Sequence, residues 1–371
     1  LTDVRVTAAE ETPPPSRTPS RPRPRRSTLS AAWQSPWSRL VRRILLRIVY
    51  AIPLLLGVLT ITFVVTRALG DPVANIAGPM ADVAEVEALR ERLGLADPIL
   101  TQYWNYLKDL SEGSLGNSLT SQRPITTEIG ERIGGTFELI ILGTILAAIW
   151  GVLIGAVSVY RRRIGKVADA FSVAGLAVPD FVLGLLLTLV FAFTLGWAPS
   201  PVGQIDLAAT PPPRVTGGAA LDALIAGQWS ILWPALGLLV LPVVTLGLIY
   251  GAPISRIAQG AFLETRRKAF IEYAELSGLS STRVFRYTLR NALPSVLTLS
   301  GVVAGFLVGG IVLVELVFAW GGLGQWAAIS ILSFDMPAIQ AFVLLAGVFT
   351  LAVYLILDIA YGIIDPRIRM S

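Results

Sequence analysis

The sequence predicts an all-α integral membrane protein of six transmembrane helices. Three observations carry that prediction. The chain of 371 residues is 54% hydrophobic and only 15% charged, whereas soluble domains carry roughly 25% charged residues. Apolar runs long enough to cross about 30 Å of hydrocarbon as helix, which takes roughly 20 residues, occur six times. Lys and Arg are spread unequally over the segments between those runs, and this bias sets the orientation of a polytopic chain.

Residues 1–41 are rich in Pro, Ser, Thr and Arg. Little in them can pack, so a disordered basic tail is expected there. The first apolar run follows after forty-odd residues and is of span length, which makes it an uncleaved anchor rather than a signal peptide. The six spans are expected at about 44–68, 135–160, 168–196, 230–253, 292–317 and 336–361. The first belongs to a segment 42–68, and the other five form a core over 135–371. Between them lies a polar segment, 69–134. There "DVAEVEALRERLGL" sets Val83, Val86, Leu89 and Leu93 at helical spacing, with Asp82 as N-cap and Gly94 as stop. Such a helix could lie on the membrane or shield a pore mouth.

Of the 30 Lys and Arg, 23 fall in the stretch up to Arg47, the 161–166 turn, the 256–290 segment and the C-terminus; only 6 fall in the opposite loops, and Arg67 sits at the edge of the first span. The basic side is the cytoplasmic one, so both termini are expected inside. The net charge of +5 is thereby explained by the membrane rather than by nucleic acid. The chain has no histidine and no cysteine, which excludes His–Cys zinc sites, haem ligation by those residues, Ser–His triads and thiol catalysis. No catalytic residue and no metal site are expected.

The segment "EYAELSGLSSTRVFRYTLRNALP", 272–294, is polar yet lies between two apolar runs. From Glu264 to Ser277 the residues favour helix, with Ala269, Tyr273 and Leu276 on one face. Gly278 can take the left-handed stop, Leu279 can fold back on the helix, and Ser280 or Ser281 can cap a second helix towards Asn291. The residues describe either a helix–glycine–helix elbow over 264–291 or an ordinary surface loop.

Glu272-Tyr273-Ala274 followed by Gly278, and later Leu293-Pro294, resembles the EAA motif of bacterial ABC importer permeases. Tyr273 replaces the motif's first alanine and Leu-Pro falls late, a loosened pattern shared by the peptide-importer branch. The stretches 42–72, 89–119, "TFELIILG" (136–143), "LAVPDFVLGLLL" (176–187), "VELVFAWGGLG" (314–324) and "DIAYGIIDPRIRM" (358–370) are similar, in order, to the first-permease (B-type) subunits of dipeptide and oligopeptide systems. The resemblance implies the type I ABC importer permease fold. It also implies a coupling helix, with Glu272, Tyr273, Ala274, Gly278, Leu279 and Arg283 meeting the ATP-hydrolysing subunit. The implied partners are a second related permease subunit, two ATPase subunits or domains, and an extracytoplasmic binding protein. The implied substrate is a di- or oligopeptide, although related systems carry nickel chelates, glutathione, haem or oligosaccharides. The implied location is the bacterial cytoplasmic membrane.

This chain has no GxxxxGK[ST] loop, because Gly165-Lys166 lacks both the upstream glycine and the following Ser or Thr. ATP and Mg are therefore expected at the partner ATPase subunits and no cofactor on this chain. A self-sufficient channel or secondary transporter should carry internal repeats, and none is evident. An intramembrane protease is disfavoured by the missing histidine and by the absence of a GxGD motif.

Charges within spans are costly and invite a functional reading. Asp180 follows Pro179 about 18 Å into the third span at 1.5 Å per residue. It either faces an aqueous substrate path, meeting a peptide's amino group, or satisfies loose backbone at a proline kink. Glu138 and Glu315, near the outer ends of the second and fifth spans, either make the mouth acidic or are solvated at the interface. Trp197, Trp229, Trp233, Trp320 and Trp326 lie near outer boundaries and read as an aromatic belt.

Overall fold

The computed structural model describes residues 36–68, 73, 77 and 81–364; the tail expected over 1–41 lies outside the described residues as far as 35, as do the last seven residues. Residues 1–45 and 46–371 form separate units by internal contacts. Of the first unit, only the opening turns of one helix, from Pro36, are described. The account below concerns the second.

The described residues are helical, with one isolated bridge between Asn117 and Pro124. Helix α1 (Pro36–Ala68) crosses first. It leaves Ile52, Leu54, Ile61 and Val64 exposed and buries Leu59 and Phe63, as a helix at the margin of a bundle in lipid does. Two short helices follow, α2 (Val83–Arg92) and α3 (Ile99–Ser111). Asp82 Oδ1 accepts the Val83 amide at 2.7 Å, and Gly94 takes φ +66° at the other end, as the spacing of this stretch predicts. No residue of α2 is buried. Helix α3 folds against α1 through Tyr103 and Tyr106, whose rings lie 5.1 and 6.0 Å from Phe63.

The centre is a pair of long helices, α4 (Ile125–Tyr160) and α8 (Trp229–Arg266). At 1.5 Å per residue they run about 54 and 57 Å, well beyond the hydrocarbon. Small residues let them approach. Gly143, Ala147, Gly151 and Gly155 repeat every fourth position and make a groove on α4 for Leu246, Ile254 and Ala258 of α8. A Cβ built on Gly151 would lie 2.6 Å from Ile254 Cγ2, and one on Gly155 would lie 2.7 Å from Ala258 Cβ. This is the small-xxx-small contact by which apolar helices gain packing where no hydrophobic drive separates them from lipid.

The third expected span is not one helix. It is built from α5 (Arg162–Ala177), a break at Val178–Pro179, α6 (Asp180–Leu187) and a π-helical stretch, Thr188–Thr194. Proline has no N–H and biases the preceding residue away from helix, so the kink expected at Pro179 is a complete interruption. Helix α7 (Ala219–Ile225) lies in the long loop before α8. After α8 come α9 (Ala269–Leu276), α10 (Ser281–Val317), α11 (Leu323–Leu332) and α12 (Met336–Ile364). Among the described residues, α1, α4, α8, α10 and α12 are each long and apolar enough to cross a membrane, while Asp180–Thr194 in the region of the third expected span and Leu323–Leu332 are shorter apolar helices.

Candidate functional site

The first candidate site is the elbow at the end of α8. Arg267 and Lys268 break the helix, and α9 follows. It closes with Gly278 at φ +74°. The Leu279 amide donates to Ala274 O at 3.2 Å and the Gly278 amide to Glu275 O at 3.1 Å. That pair of bonds is the left-handed helix stop, which a glycine adopts without the penalty a Cβ would bring. Leu279 then packs with Ile271, Ala274 and Val284. Ser280 has the extended backbone of an N-cap before α10, with no side-chain bond. The second arm does not stop at Asn291: α10 continues unbroken through Pro294 into its span.

Ala269, Tyr273 and Leu276 share a face, and that face points away from the protein. Tyr273 is 73% and Leu276 81% exposed, with Phe270 half-exposed beside them. Ala274 is buried against α10, whereas Glu272 and Arg283 are exposed. The elbow is therefore fastened by one face and offers the other. Beneath it, Tyr160 of α4, Phe262 of α8 and Phe285 of α10 form an aromatic cluster with centroids 5.4 to 6.2 Å apart. Arg266 lies 4.9 Å above the Tyr160 ring and 3.8 Å from Glu275 of α9. Three long helices and the elbow thus meet at one hub.

The carboxylates singled out in the spans separate into two kinds. Glu315 is fully buried. It accepts the Thr136 hydroxyl at 2.6 Å and the Gln325 amide at 2.9 Å, while Thr136 Oγ1 accepts the Leu323 amide at 2.8 Å. Glu138 accepts the Leu221 amide at 2.6 Å, with Gly218 pressed against its carboxylate. Both act as fasteners that bind the loops at the end opposite the elbow. Glu128 and Asp335, which the sequence did not single out, do the same. Glu128 accepts the Trp326 indole N–H at 2.7 Å, and Asp335 accepts the Leu119 and Thr120 amides at 3.1 and 3.2 Å. Trp320 and Trp326 are buried within this lattice, Trp320 donating to Gly135 O at 2.9 Å. Of the five tryptophans expected to form a belt, Trp197, Trp229 and Trp233 are exposed as a belt requires. A buried indole is tolerated here because its one donor is satisfied.

Asp180 is of the second kind. It opens α6 directly after the break and is half-buried. Its neighbours come from α8 and α10: a Cβ built on Gly310 would overlap the Tyr250 hydroxyl and lie 3.4 Å from Asp180 Oδ2, so the hydroxyl and the carboxylate converge on the space this glycine leaves. The structure therefore brings Asp180 together with Tyr250 and Gly310, and not with Glu138 or Glu315. No spacing in the sequence linked these three positions.

Residues 123–370 match the family described as binding-protein-dependent transport system inner membrane component, and residues 40–139 match the N-terminal region model of such components. The chain is 35% identical over 327 residues to the dipeptide transport system permease protein of Alkalihalophilus pseudofirmus, covering 87% of this chain and 98% of that protein. It is 36% identical over 326 residues to the di/tripeptide transport system permease protein of Pseudomonas aeruginosa, covering 86% and 96%. It is also 35% identical over 327 residues to the glutathione transport system permease protein of Pectobacterium atrosepticum, covering 87% and 97%. An all-helical multispan bundle, the elbow within the matched region and matches over nearly the whole length of these relatives lead to one conclusion: the chain belongs to the family of inner-membrane permease components of binding-protein-dependent ABC transport systems.

Proposed function

We propose that the chain forms half of the translocation path of an ATP-driven importer of di- or oligopeptides in the bacterial cytoplasmic membrane. A second, related permease subunit supplies the other half. Two ATPase subunits hold the ATP and Mg, and an extracytoplasmic binding protein delivers the substrate. The elbow end is cytoplasmic, in keeping with the excess of Lys and Arg there. Dipeptide and di/tripeptide permeases among the relatives support the peptide reading. Glutathione, the substrate named for another relative, is itself a small peptide and falls in the same class.

The observation that carries the coupling role is the exposed face of α9, with Tyr273 and Leu276 uncovered and Glu272 beside them. An apolar anchor with an adjacent charge, on a short helix that stands clear of its own bundle, fits a groove on a soluble partner. Movement of that partner reaches Tyr160, Phe262 and Phe285 through the buried side of the elbow. It then tilts α4, α8 and α10 together.

The test compares the assembled complex bearing Glu272→Lys or Gly278→Val with the parent. The first reverses the charge at the contact. The second forces a β-branched residue into φ +74°, at a cost of roughly 1–2 kcal/mol or more, and re-aims the exposed face. Both variants should insert into the membrane yet lose stimulation of ATP hydrolysis by loaded binding protein, and uptake with it. Full stimulation and transport in both would reduce the elbow to a surface loop.

A further inference from the structure

Asp180 is placed where an ionisable group is hard to keep without a purpose. The facing residue, Gly310, lies eight positions before Phe318 at the end of α10. That is about 12 Å along the helix from the end opposite the elbow, within the apolar run of α10. No Lys or Arg among the described residues pairs with Asp180. Its Oδ1 accepts the Phe181 amide at 2.8 Å, which leaves Oδ2 as the open acceptor. Oδ2 would lie 3.4 Å from a Cβ built on Gly310, and the same Cβ would overlap the Tyr250 hydroxyl. Asp180, Tyr250 and Gly310 are all half-buried, and the α10 surface around them is uncovered at Phe306, Gly309 and Leu313. A carboxylate without a cationic partner is costly against lipid tails, so this face borders a path or another subunit.

We propose that Asp180, Tyr250 and Gly310 form a binding site for a primary ammonium group in the translocation path. Asp180 Oδ2 is the anionic acceptor, Tyr250 aims it and offers a second oxygen, and Gly310 provides the room. One carboxylate oxygen and one phenol are too few for a hard metal cation, which takes about six oxygens. They suit an –NH3+ group, whose three donors need a carboxylate, a hydroxyl and one carbonyl of the ligand itself. The inference rests on the peptide-importer reading only for what carries the ammonium, the free N-terminus of a peptide.

The experiment has two arms on the assembled complex in proteoliposomes. The first measures uptake of a dipeptide and its N-acetyl form. The parent should favour the free amine, and Asp180→Asn should bring the ratio to about 1. Tyr250→Phe should lower the ratio about tenfold, the weight of one charge-assisted hydrogen bond. Gly310→Ala should match Tyr250→Phe but add little in the Tyr250→Phe background, because the overlap is chiefly with the hydroxyl. The second arm needs no transport: a hydrophobic carbodiimide modifies Asp180, and mass spectrometry follows the adduct. n-Butylammonium should slow the labelling, N-butylacetamide should not, and Tyr250→Phe should weaken the protection. Peptide uptake with an unchanged ratio in all variants, and no protection by n-butylammonium, overturns the ammonium site while the peptide reading stands. Protection without any peptide uptake by the parent overturns the peptide reading while the site stands.

Discussion

Replacing Glu315 by Ala should destabilise the end of the bundle opposite the elbow by about 2–4 kcal/mol. The carboxylate is fully buried and receives the Thr136 hydroxyl at 2.6 Å and the Gln325 amide at 2.9 Å. Gln325 stands in the first turn of α11, where helix amides have no partner within the helix. Truncation leaves the buried Thr136 hydroxyl and the part-buried Gln325 amide unpaired, at roughly 1–3 kcal/mol each. Relief of the cost of burying a carboxylate offsets part of that sum, which gives the stated range. Glu315→Gln keeps one accepting oxygen and should lose about half as much. The assay is thermal unfolding of the purified chain in detergent, followed by tryptophan fluorescence; Trp320 and Trp326 lie in the same lattice. If Glu315→Ala melts with the parent, or Glu315→Gln falls as far as Glu315→Ala, the carboxylate is not the fastener described here.

Two further outcomes are expected. Asp222 lies outside the spans; burial alone would raise its pKa, but hydrogen bonds from the Thr216 amide, the Thr216 hydroxyl and the Gly217 amide outweigh burial and hold it below the ordinary value. A depressed carboxylate stabilises above its unfolded value of about 3.9 and loses that stabilisation as pH falls through the folded value. The 199–228 loop should thus resist proteolysis at neutral pH and open only in stronger acid, while Asp222→Asn opens it at pH 7; equal protection of parent and variant would contradict this. Because the chain has no cysteine, a single Arg214→Cys should react with an impermeant maleimide on intact cells and Arg283→Cys only after permeabilisation, and the reverse labelling would invert the proposed orientation.

Local features were legible in the sequence because each rests on neighbours within a few residues. The Asp82 cap, the Gly94 stop and the Gly278 turn are decided by backbone conformations that few residues accept or promote. Spacing also placed Ala269, Tyr273 and Leu276 on one face, but it could not say which way that face pointed. The buried side is chosen by Ile271 and Ala274 meeting Val284 and Leu279, and periodicity carries no record of the partner surface. The fates of Glu138 and Glu315 were hidden for the same reason. Thr136 and Glu315 meet across 179 positions, and only the return of the loops converts a mouth carboxylate into a fastener. One signal was present and went unread: small residues at 143, 147, 151 and 155 give the α4 contact face directly from their spacing of four.

The arrangement of breaks explains how movement at the elbow could change the environment of Asp180. Tyr250 is joined to the elbow hub by the unbroken run of α8, and Gly310 by the unbroken run of α10. Asp180 has no such connection, since Val178–Pro179 interrupts its span and a π-helical stretch follows at Thr188–Thr194. A tilt applied through Phe262 and Phe285 therefore reaches Tyr250 and Gly310 along continuous helices, each with one proline on the way (Pro253 and Pro294), while α6 can lag behind at a full interruption. The opposite end resists separation, because Glu128, Glu138, Glu315 and Asp335 bind its loops to the helix ends. With one end fastened and the other driven, relative motion is concentrated between α6 and the α8–α10 pair. That places the largest change in geometry at the proposed ammonium site, where a small displacement of the Tyr250 hydroxyl from Oδ2 is enough to weaken the hold on the ligand.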